Sequence, residues 1–190
     1  MKTAIIVGHT KIRQGATSPY LCIPTEWRFN KLIAEKLREV ATVFYYDSYT
    51  TGYTAMVKRM SRRINADKFD LVLELHFNAA AEETGHGAEA LYYFKNEKAK
   101  ELGSYFCELM EKRLKIKSRG VKALYNKHQR GFAAVYHPKP TVLILEPFFG
   151  SNQNDCLIMN NSGAINTYIT ILKDIIKGYK YDSKKGIGSN

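Results

Sequence analysis

Four polar residues stand where apolar runs end or helical patterns begin, and their types suit one chemistry. His9 follows Lys2-Thr3-Ala4-Ile5-Ile6-Val7-Gly8, His76 follows Leu71-Val72-Leu73-Glu74-Leu75, Glu146 follows Thr141-Val142-Leu143-Ile144-Leu145, and Glu26 opens a helical pattern. Three of the four end what reads as a buried β-strand, and in open α/β sheets ligands collect where strands end. Two imidazoles and a carboxylate leave a catalytic zinc with an open position, and a second carboxylate beside them supplies a base. The pattern therefore points to a metallohydrolase. His9, Glu26 and His76 would hold Zn2+, while Glu146 would take a proton from an activated water and pass it to a leaving amine. Singly, each residue has an ordinary role open to it. Gly8-His9 suits a turn, and a carboxylate in a first helical turn is favoured by the helix dipole alone. Glu146 is harder to dismiss, because a charge ending a buried strand needs a partner or a job.

The elements that must position these residues alternate along the chain. Strands are expected over 2–8, 42–46, 71–76, 88–94, 131–136 and 141–146. Thr25 is a plausible N-cap for a helix whose apolar stripe runs through Trp27, Phe29, Ile33 and Leu37. Further helices are expected over 53–65, basic on its outer face through Lys58, Arg59, Arg62 and Arg63, and over 97–115. A last stripe runs from Ile165 to Ile176. Apolar runs alternating with helical patterns read as α/β. With 190 residues and no linker, one domain over 1–178 is expected, followed by a polar, glycine-containing tail over 179–190 that reads as disordered.

Composition narrows the partners. A hydrophobic content of 45% is that of an ordinary globular protein, but the net charge of +11 implies a polyanion: nucleic acid, anionic lipid or an anionic wall polymer. Three widely spaced cysteines, Cys22, Cys107 and Cys156, offer neither a disulfide framework nor a zinc-finger spacing, and reduced, mostly buried thiols are expected. Met1-Lys2 runs straight into a short apolar strand, so no secretory signal is read, and no run reaches the length of a membrane span. The expectation is synthesis in the cytoplasm. His86, His128 and His137 read as loop or groove-wall residues, and Asn78 as either a turn residue or a group that orients a ligand or substrate.

Several segments, in order, resemble one family. They are Ile6-Val7-Gly8-His9 with Gly15-Ala16, Glu26 opening its helix, Glu74-Leu75-His76-Phe77-Asn78-Ala79, and Leu145-Glu146-Pro147-Phe148-Phe149-Gly150. Gly87-Ala88-Glu89-Ala90-Leu91-Tyr92-Tyr93-Phe94 fits a following strand and Arg119-Gly120-Val121-Lys122 a short turn. Together they resemble the zinc-dependent N-acetylmuramoyl-L-alanine amidases of bacterial autolysins and phage endolysins. The resemblance implies a twisted, mainly parallel sheet flanked by helices, with His9, Glu26 and His76 as zinc ligands and Glu146 as the catalytic glutamate. It also implies peptidoglycan as substrate, cut between N-acetylmuramic acid and L-alanine. With no signal read, a phage or prophage endolysin that reaches the wall after release is the expected setting. The basic surface would then serve anionic wall polymers.

Two features depart from the family pattern: Thr10-Lys11-Ile12-Arg13-Gln14 fills a loop that in many relatives holds glycines and an aspartate, and no wall-binding module is read or expected after the last helix. Other readings are a zinc peptidase or deacylase using the same four residues, an inactive wall-binding protein, and a basic nucleic-acid-binding protein. The last requires a recognition element that the sequence lacks, so no nucleic acid partner is expected.

Overall fold

The computed structural model describes residues 1–47, 52–81 and 84–185. In chain order its elements are β1 (Thr3–Val7), α1 (Glu26–Glu35), β2 (Thr42–Tyr45), α2 (Tyr53–Ala66), β3 (Leu71–Leu75), β4 (Ala88–Tyr93), α3 (Glu97–Leu114), β5 (Ser118–Leu124), α4 (Phe132–Tyr136), β6 (Thr141–Glu146), α5 (Gln153–Met159) and α6 (Ser162–Lys185). The continuous apolar runs become strands covered on both faces, as parallel sheets require: every residue of β1 and β3 is buried. The six strands lie in the order β2-β1-β3-β6-β4-β5, and all neighbours are parallel except β4 against β6. This is the expected α/β domain with a mainly parallel sheet between helices.

Register explains the two cores. Ile5, Leu73 and Leu143 lie side by side on one face, and Ile6, Glu74 and Ile144 on the other. The first face packs against Phe29 and Ile33 of α1, Phe106 and Met110 of α3, and Tyr168 and Leu172 of α6. The second packs against Val57, Met60 and Ile64 of α2 and Ala134 and Val135 of α4. Each fully buried aliphatic side chain contributes about 1.5–3 kcal/mol relative to exposure. Phe29 meets Phe77 and Phe148 edge-on, with centroids 6.1 and 5.2 Å apart. Since these rings lie one to three residues from Glu26, His76 and Glu146, the same aromatic cluster anchors three candidate site segments.

Four local expectations are corrected. The apolar stretch at 131–136 is not a strand: Gly131, at φ 85°, precedes the five-residue helix α4. Arg119-Gly120-Val121-Lys122 is not a turn but lies inside β5, an edge strand whose half-exposed pattern hid it. Helix α5 was not anticipated; Asn152 caps it, accepting from the Asp155 amide. The last helix continues to Lys185, past position 179, and 186–190 lie outside the described residues. Among the described residues no helix is long and apolar enough to cross a membrane.

Candidate metal centre

Because β1, β3 and β6 are parallel neighbours, their C-terminal ends share one edge of the sheet. The ladder continues past the strands themselves. The Gly8 amide donates to the Leu75 carbonyl at 2.9 Å, and the His76 amide to the Leu145 carbonyl at 3.0 Å. His9 lies two residues beyond β1 with φ 65°, a left-handed conformation uncommon for a residue with a side chain and typical of functional sites. Glu26 reaches the same edge from the first turn of α1. Thr25 is its N-cap residue but makes no side-chain cap; its hydroxyl donates instead to Gln14 Oε1 at 2.6 Å.

Glu26 is 2% exposed, so its carboxylate must be satisfied by protein groups. Its Oε1 accepts from the Phe77 amide at 3.2 Å and lies 2.8 Å from His76 Nδ1. Its Oε2 accepts from the Ala16 amide at 3.0 Å and lies 3.0 Å from His9 Nε2. That last approach lacks hydrogen-bond geometry, so the buried His9 Nε2 has no hydrogen-bond partner among the described residues. His9, Glu26 and His76 each offer one donor atom within 4.8 Å of the others. Two imidazoles and a carboxylate gathered with one nitrogen unpartnered fit a divalent cation such as zinc.

Two glycines make room for this cluster. A Cβ on Gly8 would sit 2.4 Å from His76 Cε1. One on Gly15, where φ is +77°, would sit 2.5 Å from both Glu26 Oε2 and His9 Cδ2. Burial raises the proton affinity of the Glu26 carboxyl, but the hydrogen bond from His76 and the close approach of the His9 imidazole outweigh it and hold the group well below the usual carboxylate range. Burial opposes a charge on His76, yet its bonds to Glu26 and Glu74 push its pKa up to about 10. The metal-free cluster thus holds a proton that a cation must displace.

Glu146 ends β6 opposite Glu89 of β4, and lines one cavity of about 390 Å³ with His9, Glu26, His76, Tyr46 and Arg130. Burial pushes its carboxyl up to about 7; the His76 charge opposes the shift and Glu89 reinforces it. Glu89 is itself held, accepting from Asn78 Nδ2 at 2.9 Å and Arg119 Nε at 2.7 Å. All four residues singled out from the sequence therefore meet at one cavity. Asn78 serves the wall of that site through Glu89. His86, His128 and His137 do not line the cavity, and Cys22, expected to be partly buried, is exposed.

Glu74 and Glu89 also belong to this site, although neither stands at the end of its strand. Glu74 is 2% exposed and Glu89 8%, and each interrupts an otherwise apolar strand. A charge inside a buried strand was the available signal, because it demands partners.

The model of the N-acetylmuramoyl-L-alanine amidase family matches residues 4–177. No curated protein sequence matches. Among solved structures, the CwlD amidase from Clostridioides difficile, solved in complex with the GerS lipoprotein, is 20% identical with a TM-score of 0.78, covering 95% of this chain and 99% of that one. The catalytic domain of CwlV, an N-acetylmuramoyl-L-alanine amidase from Bacillus (Paenibacillus) polymyxa var. colistinus, is 21% identical with a TM-score of 0.70, covering 94% and 98%. The catalytic domain of the CD27L endolysin targeting Clostridia difficile is 25% identical with a TM-score of 0.72, covering 93% and 97%.

Proposed function

Since the chain belongs to the N-acetylmuramoyl-L-alanine amidase family, enzymes of peptidoglycan breakdown, we propose that it cuts the amide bond between N-acetylmuramic acid and L-alanine with zinc as its metal. The observation that supports this most directly is the convergence of His9, Glu26 and His76 within 4.8 Å, beside Glu146 in one cavity. His9, Glu26 and His76 would hold the ion. When bound, zinc supplies Lewis acidity that polarises a carbonyl and makes water a nucleophile near neutral pH. Glu146 accepts the proton of the attacking water and returns it to the leaving amine of L-alanine, so no covalent acyl-enzyme forms. Its burial gives the proton affinity such a two-way role needs, and a cation at the donor set lowers that affinity, in the direction His76 already sets. Glu89, fixed by Asn78 and Arg119, borders Glu146 from the adjacent strand.

The test compares wild type and Glu146→Gln on purified peptidoglycan, with metal counted in both and products read by mass spectrometry. Wild type should release stem peptides beginning with a free L-alanine amine while glycan reducing ends stay constant. The variant should keep its metal and lose about 10²–10⁴-fold in rate, the usual contribution of a positioned acid–base group. Wild type that binds zinc and leaves the amide intact would mean a different substrate, such as that of a peptidase or deacylase. Wild type without metal would remove the zinc reading.

The likeness to the CD27L catalytic domain supports reading the chain as an endolysin that reaches the wall after the membrane opens. Expression in a susceptible bacterium should then cause lysis only once the membrane is permeabilised. Lysis without permeabilisation would count against that setting.

A further inference from the structure

We propose that Glu74 and Tyr46 are positioning residues that orient His76 for metal binding, from the side of the imidazole away from the cation. The inference rests on the reading of His76 as a ligand and extends it to two residues that hold no metal. Glu74 occupies the fourth position of β3, level with Ile6 of β1 and Ile144 of β6, on the face packed against α2 and α4. A carboxylate there gives up its water, and an aliphatic residue like its two neighbours would fill the position without that cost.

Both of its oxygens are nevertheless matched. Oε1 lies 2.9 Å from His76 Nε2, and Oε2 accepts from the Tyr46 hydroxyl at 2.9 Å. Tyr46 follows β2, is 5% exposed and lines the same cavity. Burial and the Glu74 charge push its hydroxyl well above the ordinary tyrosine range, so it stays a donor. A line of polar contacts therefore runs Tyr46–Glu74–His76–Glu26 through an otherwise apolar part of the sheet.

The consequence concerns which nitrogen of His76 is free. With Nε2–H donating to the Glu74 carboxylate, Nδ1 is left facing Glu26 at 2.8 Å, inside the donor set. A histidine ligand whose other nitrogen donates to a carboxylate is fixed in tautomer and ring orientation and is a better donor to the metal; losing such a partner typically weakens metal binding about 10–100-fold. Glu74 does this from within the strand that carries the ligand, and Tyr46 holds Glu74 in turn.

The experiment measures zinc affinity by competition with a chromophoric chelator for wild type, Glu74→Gln and Tyr46→Phe, after circular dichroism of the metal-free proteins shows that each is folded. Cobalt(II) replaces zinc in a parallel set, and its visible absorption reports the ligand field. Glu74→Gln keeps the shape and removes the charge, and should weaken zinc about 10–100-fold and alter the cobalt spectrum. Tyr46→Phe should fall at the lower end of that range. A folded Glu74→Gln with wild-type affinity and spectrum overturns the proposal. If Glu74→Gln does not fold, Tyr46→Phe decides by the same two readouts, and wild-type values there overturn it equally. Wild type that takes up no zinc instead removes the ligand reading on which the proposal stands.

Discussion

Gly8→Ala tests the packing of the candidate centre with a single methyl group. Gly8 is not among the positive-φ residues, so alanine fits the backbone and the only objection is what its Cβ meets. It meets one ring: His76 Cε1 at 2.4 Å, Nε2 at 2.5 Å and Nδ1 at 2.7 Å. Ordinary contact begins at 3.4 Å, so the ring must withdraw by about 1 Å (3.4 less 2.4). It has little freedom to do so, being bound to Glu26 at 2.8 Å, to Glu74 at 2.9 Å and through its backbone amide to Leu145 at 3.0 Å. A misplacement of that size at a reacting centre costs about 100-fold in rate. Overpacking of this kind also destabilises by about 1–3 kcal/mol. Turnover of peptidoglycan, bound zinc and urea denaturation measure the three effects separately. Gly178→Ala is the control: in α6 an added Cβ there has nothing within 4 Å, so activity should be unchanged and stability equal or up to about 1 kcal/mol higher. Full activity and zinc content in Gly8→Ala would refute the reasoning, because the close approach of β1 to the imidazole would then constrain nothing.

Two further outcomes follow from charge. In the metal-free protein His76 is raised from 6.5 to about 10, so its contribution to stability is complete below pH 6.5 and is lost as pH rises toward 10. Glu26 is lowered from 4.5, so its contribution is present above pH 4.5 and is lost as pH falls below it. Chelated protein should therefore show a Tm that declines from pH 6.5 to 10, whereas zinc-loaded protein, in which the cation replaces a proton, should not share that slope; a flat chelated profile contradicts the cluster as described. The net charge of +11 should hold the protein to anionic wall polymers by an attraction screened over about 10 Å at 0.1 M salt and 3 Å at 1 M. Pelleting with purified walls should then release the protein as salt rises, and salt-independent binding argues for contacts of another kind.

The strands that deliver the centre were readable because they are buried on both faces and so appear as unbroken apolar runs, each ending in a residue that cannot share that environment. His9, His76 and Glu146 stand out for that reason. Glu26 was legible only in combination, since a helix start explains a carboxylate equally well. The short elements failed where local pattern is ambiguous. Gly131-Phe132-Ala133-Ala134-Val135-Tyr136 has strand-like composition, yet its burial against the second face is satisfied by a single helical turn or so. Ser118–Leu124 holds arginine, glycine and lysine because it is an edge strand with one side open. Glu74 was hidden by its apolar neighbours, although its burial in their midst is what makes it informative.

The donors at positions 9, 26 and 76 and the glutamate at 146 come from segments that meet only when β1, β3 and β6 have paired. Pairings between segments so distant in the chain are costly in loop entropy, and until β6 pairs with β3 the glutamate at 146 is not beside the donors. Hydrolytic capacity therefore waits on the pairing of these three strands, and a chain without β6 lacks the proposed proton acceptor. A cation at the donors would in turn report that α1, β1 and β3 have come together. By mass action a bound cation would favour the folded state by about 2.7 kcal/mol when present at a hundred times its dissociation constant, so, if zinc is the metal as proposed, its scarcity would shorten the life of this protein as well as silence it.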